Sequence, residues 1–247
     1  MLPPLNFAQF DPQIVAAPIA YEQPTLNKAW EVFVAHIPTI LIIWIATAIL
    51  TGLGVGAQLL FTLIGSSLSG ASLESALEGG SQTPALGVLL GQLGQFPFTV
   101  LSGLVGVLFA AVPAMYYDSG ETITVDRAFR VLLKRPWRYL LAGILFTVVF
   151  VIGLLVCILP GVAVALVAPV YVSKIFTTDM AILDAFSSSF QAVYRSANGW
   201  TFVGIQLLAI VVMVVVSFCT CGLGILVAPP VAHFYVQNAA YRQGVLT

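Results

Sequence analysis

Apolar and polar positions along this chain fall into long blocks, and the longest block sets the scale for the rest. From Tyr139 to Ser173 there are 35 residues without a charge, interrupted only by Leu159-Pro160-Gly161. A helix needs about 20 apolar residues to cross a bilayer, so this run is too long for one crossing and fits two joined by a Pro-Gly corner. It predicts a transmembrane hairpin. Four further apolar blocks predict spans at about 37–57, 96–115, 200–218 and 223–236. Three shorter segments switch to an amphipathic helical period. In the first, Leu26, Trp30, Phe33, Val34 and Ile37 lie opposite Asn27, Lys28 and Glu31. In the second, Val125, Phe129, Leu132 and Leu133 lie opposite Asp126, Arg127, Arg130 and Lys134, and the third carries Ile182, Phe186, Phe190, Val193 and Tyr194. Such stripes predict helices lying at the membrane surface, with Trp30, Phe129, Phe186, Phe190 and Trp200 as interfacial anchors.

These pieces recur in order. TLNKAWEVF, TVDRAFRVL and AILDAFSSS each place an aromatic after an alanine, at Ala29-Trp30, Ala128-Phe129 and Ala185-Phe186. FAAVPAMYY, ALVAPVYV and ILVAPPVAHFY each place proline in the second half of a hairpin, at Pro113, Pro169 and Pro229. The expected fold is therefore all-α and transmembrane: six spans arranged as three hairpins, each preceded by an amphipathic interfacial helix. The units cover about 25–117, 122–177 and 179–241 within one membrane domain, 25–241. Residues 1–24 read as a Pro-broken cytoplasmic leader laid across the surface by Phe7, Phe10 and Tyr21, and 242–247 as a short cytoplasmic tail. Residues 65–95, rich in Gly and Ser, read as a connector that either holds a short helix near Leu73–Leu77 or is simply mobile.

Composition agrees with a bilayer as solvent. Of 247 residues, 60% are hydrophobic and 8% charged, with mean hydropathy +1.03, whereas soluble domains carry about 25% charged residues. The net charge of −1 is too small and dispersed for nucleic acid. Under six spans all nine Lys and Arg fall on one side: Lys28; Arg127, Arg130, Lys134, Arg135 and Arg138; Lys174 and Arg195; and Arg242. The opposite loops hold none, and the long one carries Glu74 and Glu78. Basic residues retained near span ends set orientation, so both termini are expected in the cytoplasm of a bacterial inner membrane or an equivalent internal membrane. The leader lacks the basic and apolar regions of a signal peptide.

Little of the chain carries chemistry. Span interiors hold no Asp, Glu, Lys or Arg, which disfavours a proton-coupled or ion pathway. No zinc, nucleotide or nucleophile motif is present, so no enzyme activity and no cofactor is expected. Cys157, Cys219 and Cys221 read as small membrane-buried side chains. His36 reads as a hydrated or backbone-bonded interfacial imidazole. His233, beside Tyr235 and Gln237, is a candidate for a lipid phosphate or a partner. Gly52-Leu53-Gly54-Val55-Gly56 reads as close helix packing. Gln58, Gln92 and Gln95 could hydrate a vestibule at the non-cytoplasmic end. Pro113, Pro169, Pro229 and Pro230 interrupt spans and free carbonyls that need cover, which either sets static kinks or lines a cavity.

The third unit, AILDAFSSSFQAVYRSANGWTFVGIQLLAI followed by CGLGILVAPPVAHFYVQNAAYR, resembles a group of bacterial integral membrane proteins similar to the membrane domain beside some glycerophosphodiester phosphodiesterases. Ala185-Phe186, Gly199-Trp200, Gly222 and Pro229 carry the resemblance, which extends best over 120–241. It implies the interfacial helix, the Gly-Trp span entry and the glycine corner. The chain has no soluble region to hold a phosphodiesterase barrel, so that activity does not carry over. The expected function is that of a non-enzymatic accessory or lipid-organising subunit whose partners are membrane lipids and another integral membrane protein or a second copy. The alternative is a small-solute or lipid carrier with a cavity near the kinked even-numbered spans.

Overall fold

The computed structural model describes residues 16–70 and 85–246. Among these residues there is no strand. A 3-10 turn at Pro18–Tyr21 precedes α1 (Leu26–Leu68), then come α2 (Ala85–Gly106), α3 (Leu108–Ser119), α4 (Val125–Lys134), α5 (Pro136–Val156), α6 (Ile158–Thr177), α7 (Ile182–Arg195) and α8 (Gly199–Cys219). A second 3-10 turn at Leu223–Leu226 leads into α9 (Ala228–Arg242). Five stretches are long and apolar enough to cross a bilayer: α1, α2 with α3, α5, α6 and α8. α9 has only 15 residues. The apolar run expected to form one span from 223 is divided at Val227, because Pro229 and Pro230 cannot donate hydrogen bonds and so occupy the first turn of a helix. They open α9 and do not kink it.

Each amphipathic segment is a helix, and the first two share a start. Thr25 and Thr124 accept from the backbone amides of Lys28 and Arg127, capping α1 and α4. In all three segments the alanine of the repeated word closes the first turn, Ala29 onto Thr25, Ala128 onto Thr124 and Ala185 onto Ala181. All three alanines are buried, so the word marks a close helix contact. The first segment differs from the other two because it runs on into its span as one 43-residue helix. Pro136 and the turn at Ser196–Asn198 break the other two.

The heaviest packing is between α1 and α2, followed by α5 with α6. The helices α3, α6 and α9 also pack on one another and form the inside. Leu108, Val112, Val167, Val170 and Phe234 are fully buried there. α6 is the most buried long helix, while α5 and α8 present most of their surface outward. The α5–α6 corner falls at the extended Cys157 and not at Leu159-Pro160-Gly161, since Pro160 is accepted in the first turn of α6 and Gly161 closes onto Gly153.

Where the expected connector at 65–95 is described, at 65–70 and 85–95, it is mostly helix. Gly87, Gly91 and Gly94 follow a helical spacing along the face of α2 that meets α1. A β-carbon on Gly65 would lie 2.7 Å from Gly87 Cα, and one on Gly91 would lie 2.1 Å from Thr62 Oγ1. These glycines permit backbone contact and do not form turns. The expected helix near Leu73–Leu77, the Glu74 and Glu78 loop, and Phe7 and Phe10 lie outside the described residues.

Candidate functional site

The prolines end in different surroundings. Pro113 is buried inside α3, within the packed interior. Pro230 is buried and Pro229 half-buried at the start of α9. Pro169 meets an open space. It lines a groove of about 510 Å³ bounded by α5, α6, α8 and α9, and His233 lines the same groove. The structure thus brings together two of the five cavity candidates, Pro169 and His233, and leaves Pro113, Pro229 and Pro230 outside it.

Gln206 completes that wall and was missed in the sequence, although it is the one amide inside the fifth apolar run. It is buried, and its Nε2 donates to the Leu166 carbonyl at 2.9 Å, three residues before Pro169. A carbonyl beside a proline break in apolar surroundings needs such a donor. Tyr171 and Tyr194 act alike on neighbouring helices, donating to Ala142 O at 3.2 Å and to Ala163 O at 2.7 Å. Burial pushes the Tyr194 phenol above its ordinary value, so it stays a donor.

The anchors divide by residue type, tryptophan from phenylalanine. Trp30 and Trp200 are exposed and Phe129 is half-buried. Phe186 and Phe190 are half-buried because the stripe of α7 turns onto α6: Phe186 meets Tyr171 in a T-shaped contact at 5.4 Å between ring centres, and tilted or T-shaped ring contacts continue through Phe190 and Tyr194 to Trp200. A second groove, of about 310 Å³, runs between α8 and α9 and is capped by Leu26 and Trp30. Both grooves are lined almost wholly by apolar side chains.

His36 is fully buried, so it is not hydrated. Its Nδ1 lies 2.7 Å from Val32 O and its Nε2 accepts from Ile123 N at 3.0 Å. The accepting Nε2 must be unprotonated, which makes the ring neutral with its proton on Nδ1. Thr39 Oγ1 donates to Ile123 O at 2.8 Å, so both backbone groups of Ile123 are held by α1. Gln58 and Gln95 pack between α1 and α2, against Gly91 and Gly54, while Gln92 faces outward. Of the glycines at 52–56 only Gly54 is in contact. The three cysteines are exposed on the protein surface and not packed within it.

Ion pairs gather where the helix pairs begin and end. Arg135 of the α4–α5 junction pairs with Asp179 after α6, and Arg138 donates to Thr178 O at 2.9 Å. Lys28 pairs with Glu22 at 2.6 Å and Arg127 with Glu121 at 2.7 Å. Asn198, before α8, donates to Gln243 O after α9 at 3.3 Å. Among the described residues no cluster of His, Cys, Asp and Glu could hold a metal. Fold and site therefore define an all-helical protein with several helices able to cross a membrane. Comparison with known proteins found no matching family model, no matching curated protein and no matching solved structure.

Proposed function

We propose that the chain is a non-enzymatic membrane protein of six spans in three repeated hairpins, with both termini in the cytoplasm of a bacterial inner membrane, serving as an accessory or lipid-organising subunit of a membrane complex. The Asn198–Gln243 contact supports the sixth crossing, because it returns the end of α9 to the level at which α8 begins. The one-sided basic residues support the orientation. The filled interior between α3, α6 and α9 favours packing over passage of a solute.

The observation that carries the partner reading is the length and surface of the first hairpin. α1 is about 65 Å long and α2 with α3 about 52 Å, at roughly 1.5 Å per residue. A 52 Å rod fits inside about 30 Å of hydrocarbon only when tilted by roughly 55°, beyond the roughly 40° upper range of spanning helices. Its outer faces nonetheless carry exposed Leu59, Leu60, Ile64, Leu89, Leu93 and Phe96. An apolar projection of this size calls for cover by protein. A photo-crosslinking residue at Leu60 or Leu93 in native membranes should capture a protein, either another subunit or a second copy, while one at Gln191 should not. Adducts with lipid alone at all three positions would contradict the proposal.

A second reading, a lipid carrier, is favoured by the groove at Pro169 and His233. Loss of lipid flux in proteoliposomes on Pro169→Ala, with an unchanged crosslinking pattern, would bring it forward.

A further inference from the structure

One cavity differs from the apolar grooves in every chemical respect. It has about 310 Å³ of space and is lined by Glu22, Lys28, Glu31, Tyr116, Tyr117 and Asn238, among others. Its walls are fixed from distant parts of the chain. Asn238 of α9 is buried and donates to Ala20 O at 2.8 Å and Glu22 O at 3.3 Å, and the Ala17 amide is 3.1 Å from both Tyr117 O and Asp118 O. The 3-10 turn at Pro18–Tyr21 is thereby pinned between α3 and α9, forming one side of the cavity.

Charge then selects the ligand. Glu22 is neutralised by Lys28 at 2.6 Å, and Glu31 is in no ion pair among the described residues. The lining therefore carries one uncompensated negative charge beside two tyrosines, which suits an ammonium group and disfavours a polyanion. Lys28 lies three residues before Glu31 and so on the same side of α1, and its ammonium has three donors of which Glu22 occupies one. A second donor is available to an anionic oxygen close to the bound amine. The space holds roughly ten water-sized groups, at about 30 Å³ each.

We propose that this cavity binds a phosphoethanolamine zwitterion, its ammonium on Glu31 and its phosphate on Lys28. The proposal rests on the lipid-organising reading for its physiological source, the headgroup of an aminophospholipid in the cytoplasmic leaflet. The chemistry is shared with free phosphoethanolamine.

The full-length protein in nanodiscs of equal phosphatidylethanolamine and phosphatidylglycerol, released into mild detergent for native mass spectrometry, tests it. Retained lipid should be enriched in phosphatidylethanolamine by about fivefold, the discrimination given by about 1 kcal/mol. Glu31→Gln, on an exposed side chain, should abolish the enrichment, whereas Glu121→Gln, which faces Arg127 outside the cavity, should keep it. Displacement of the lipid by soluble phosphoethanolamine would assign binding to the headgroup chemistry alone, and retention would assign it to the lipid as a whole. Equal retention of the two lipids, or unchanged enrichment in Glu31→Gln, would overturn the proposal. Both nanodisc faces are open, so this result is independent of orientation and of whether a protein partner exists.

Discussion

The first hairpin and the two that follow solve the same packing problem by different means. In the first, α1 and α2 approach until backbone meets backbone, with Gly65 and Gly87 in direct contact and Gly91 and Gly94 admitting Thr62 and Phe61. In the rest of the chain donor side chains also reach a neighbour's carbonyl: Tyr171 of α6 bonds Ala142 of α5, and Tyr194 of α7 and Gln206 of α8 bond Ala163 and Leu166 of α6. The contrast has a physical reason. In lipid, apolar side chains gain little from meeting each other instead of acyl chains, so helices associate through close small-residue contact or through hydrogen bonds. Close contact leaves the large side chains pointing outward all round. The first hairpin is also the longest.

The difference breaks most severely at the glycines. Gly65→Leu together with Gly87→Leu should separate α1 from α2 and cost roughly 3 kcal/mol or more, since backbone cannot yield as a side chain would. Gly52→Leu with Gly56→Leu, where the space beside each glycine is open, should leave thermal stability in detergent nearly unchanged. Equal loss in both pairs would mean that close contact at Gly65 and Gly87 is not what holds the two helices together.

A smaller effect is expected where the first hairpin joins the interior. His36→Leu leaves the Ile123 amide buried without its acceptor, a loss of about 1–3 kcal/mol. His36→Gln, whose amide oxygen can accept, should restore part of it. The smallest effect belongs to the third hairpin: Gln206→Leu removes one bond to Leu166 O and should cost about 0.6–1.7 kcal/mol, the range for hydrogen bonds between membrane helices. An unchanged melting point for Gln206→Leu would show that α8 is held by apolar contact alone.

How much of this was legible depends on how local the signal was. The apolar blocks, the amphipathic periods and the alanine of the repeated word are properties of neighbouring residues, and Ala29, Ala128 and Ala185 are all buried as one motif would require. Pro169 and His233 line one groove, which only the three-dimensional packing of α6 and α9 brings about. The glycines of 65–95 were misread because loop composition and a glycine helix face look alike until a partner helix is in place. α1 runs unbroken through Pro38, which sits where its amphipathic start meets its span, whereas Pro136 breaks the second unit and the turn at Ser196–Asn198 the third. His36 and Ile123 are 87 residues apart, and Asn238 and Ala20 are 218 apart, so no local pattern could pair them.

The central claim is that three hairpins cross the membrane six times and return the chain to one side after each, including through the 15-residue α9. Single cysteines at Ser75, Glu121 and Arg242, in a background with Cys157, Cys219 and Cys221 replaced, test it with an impermeant thiol reagent on intact cells. The account predicts labelling of Ser75→Cys from outside, and labelling of Glu121→Cys and Arg242→Cys only after permeabilisation. Labelling of Arg242→Cys from outside together with Ser75→Cys would show that α9 does not cross and would contradict the three-hairpin membrane protein.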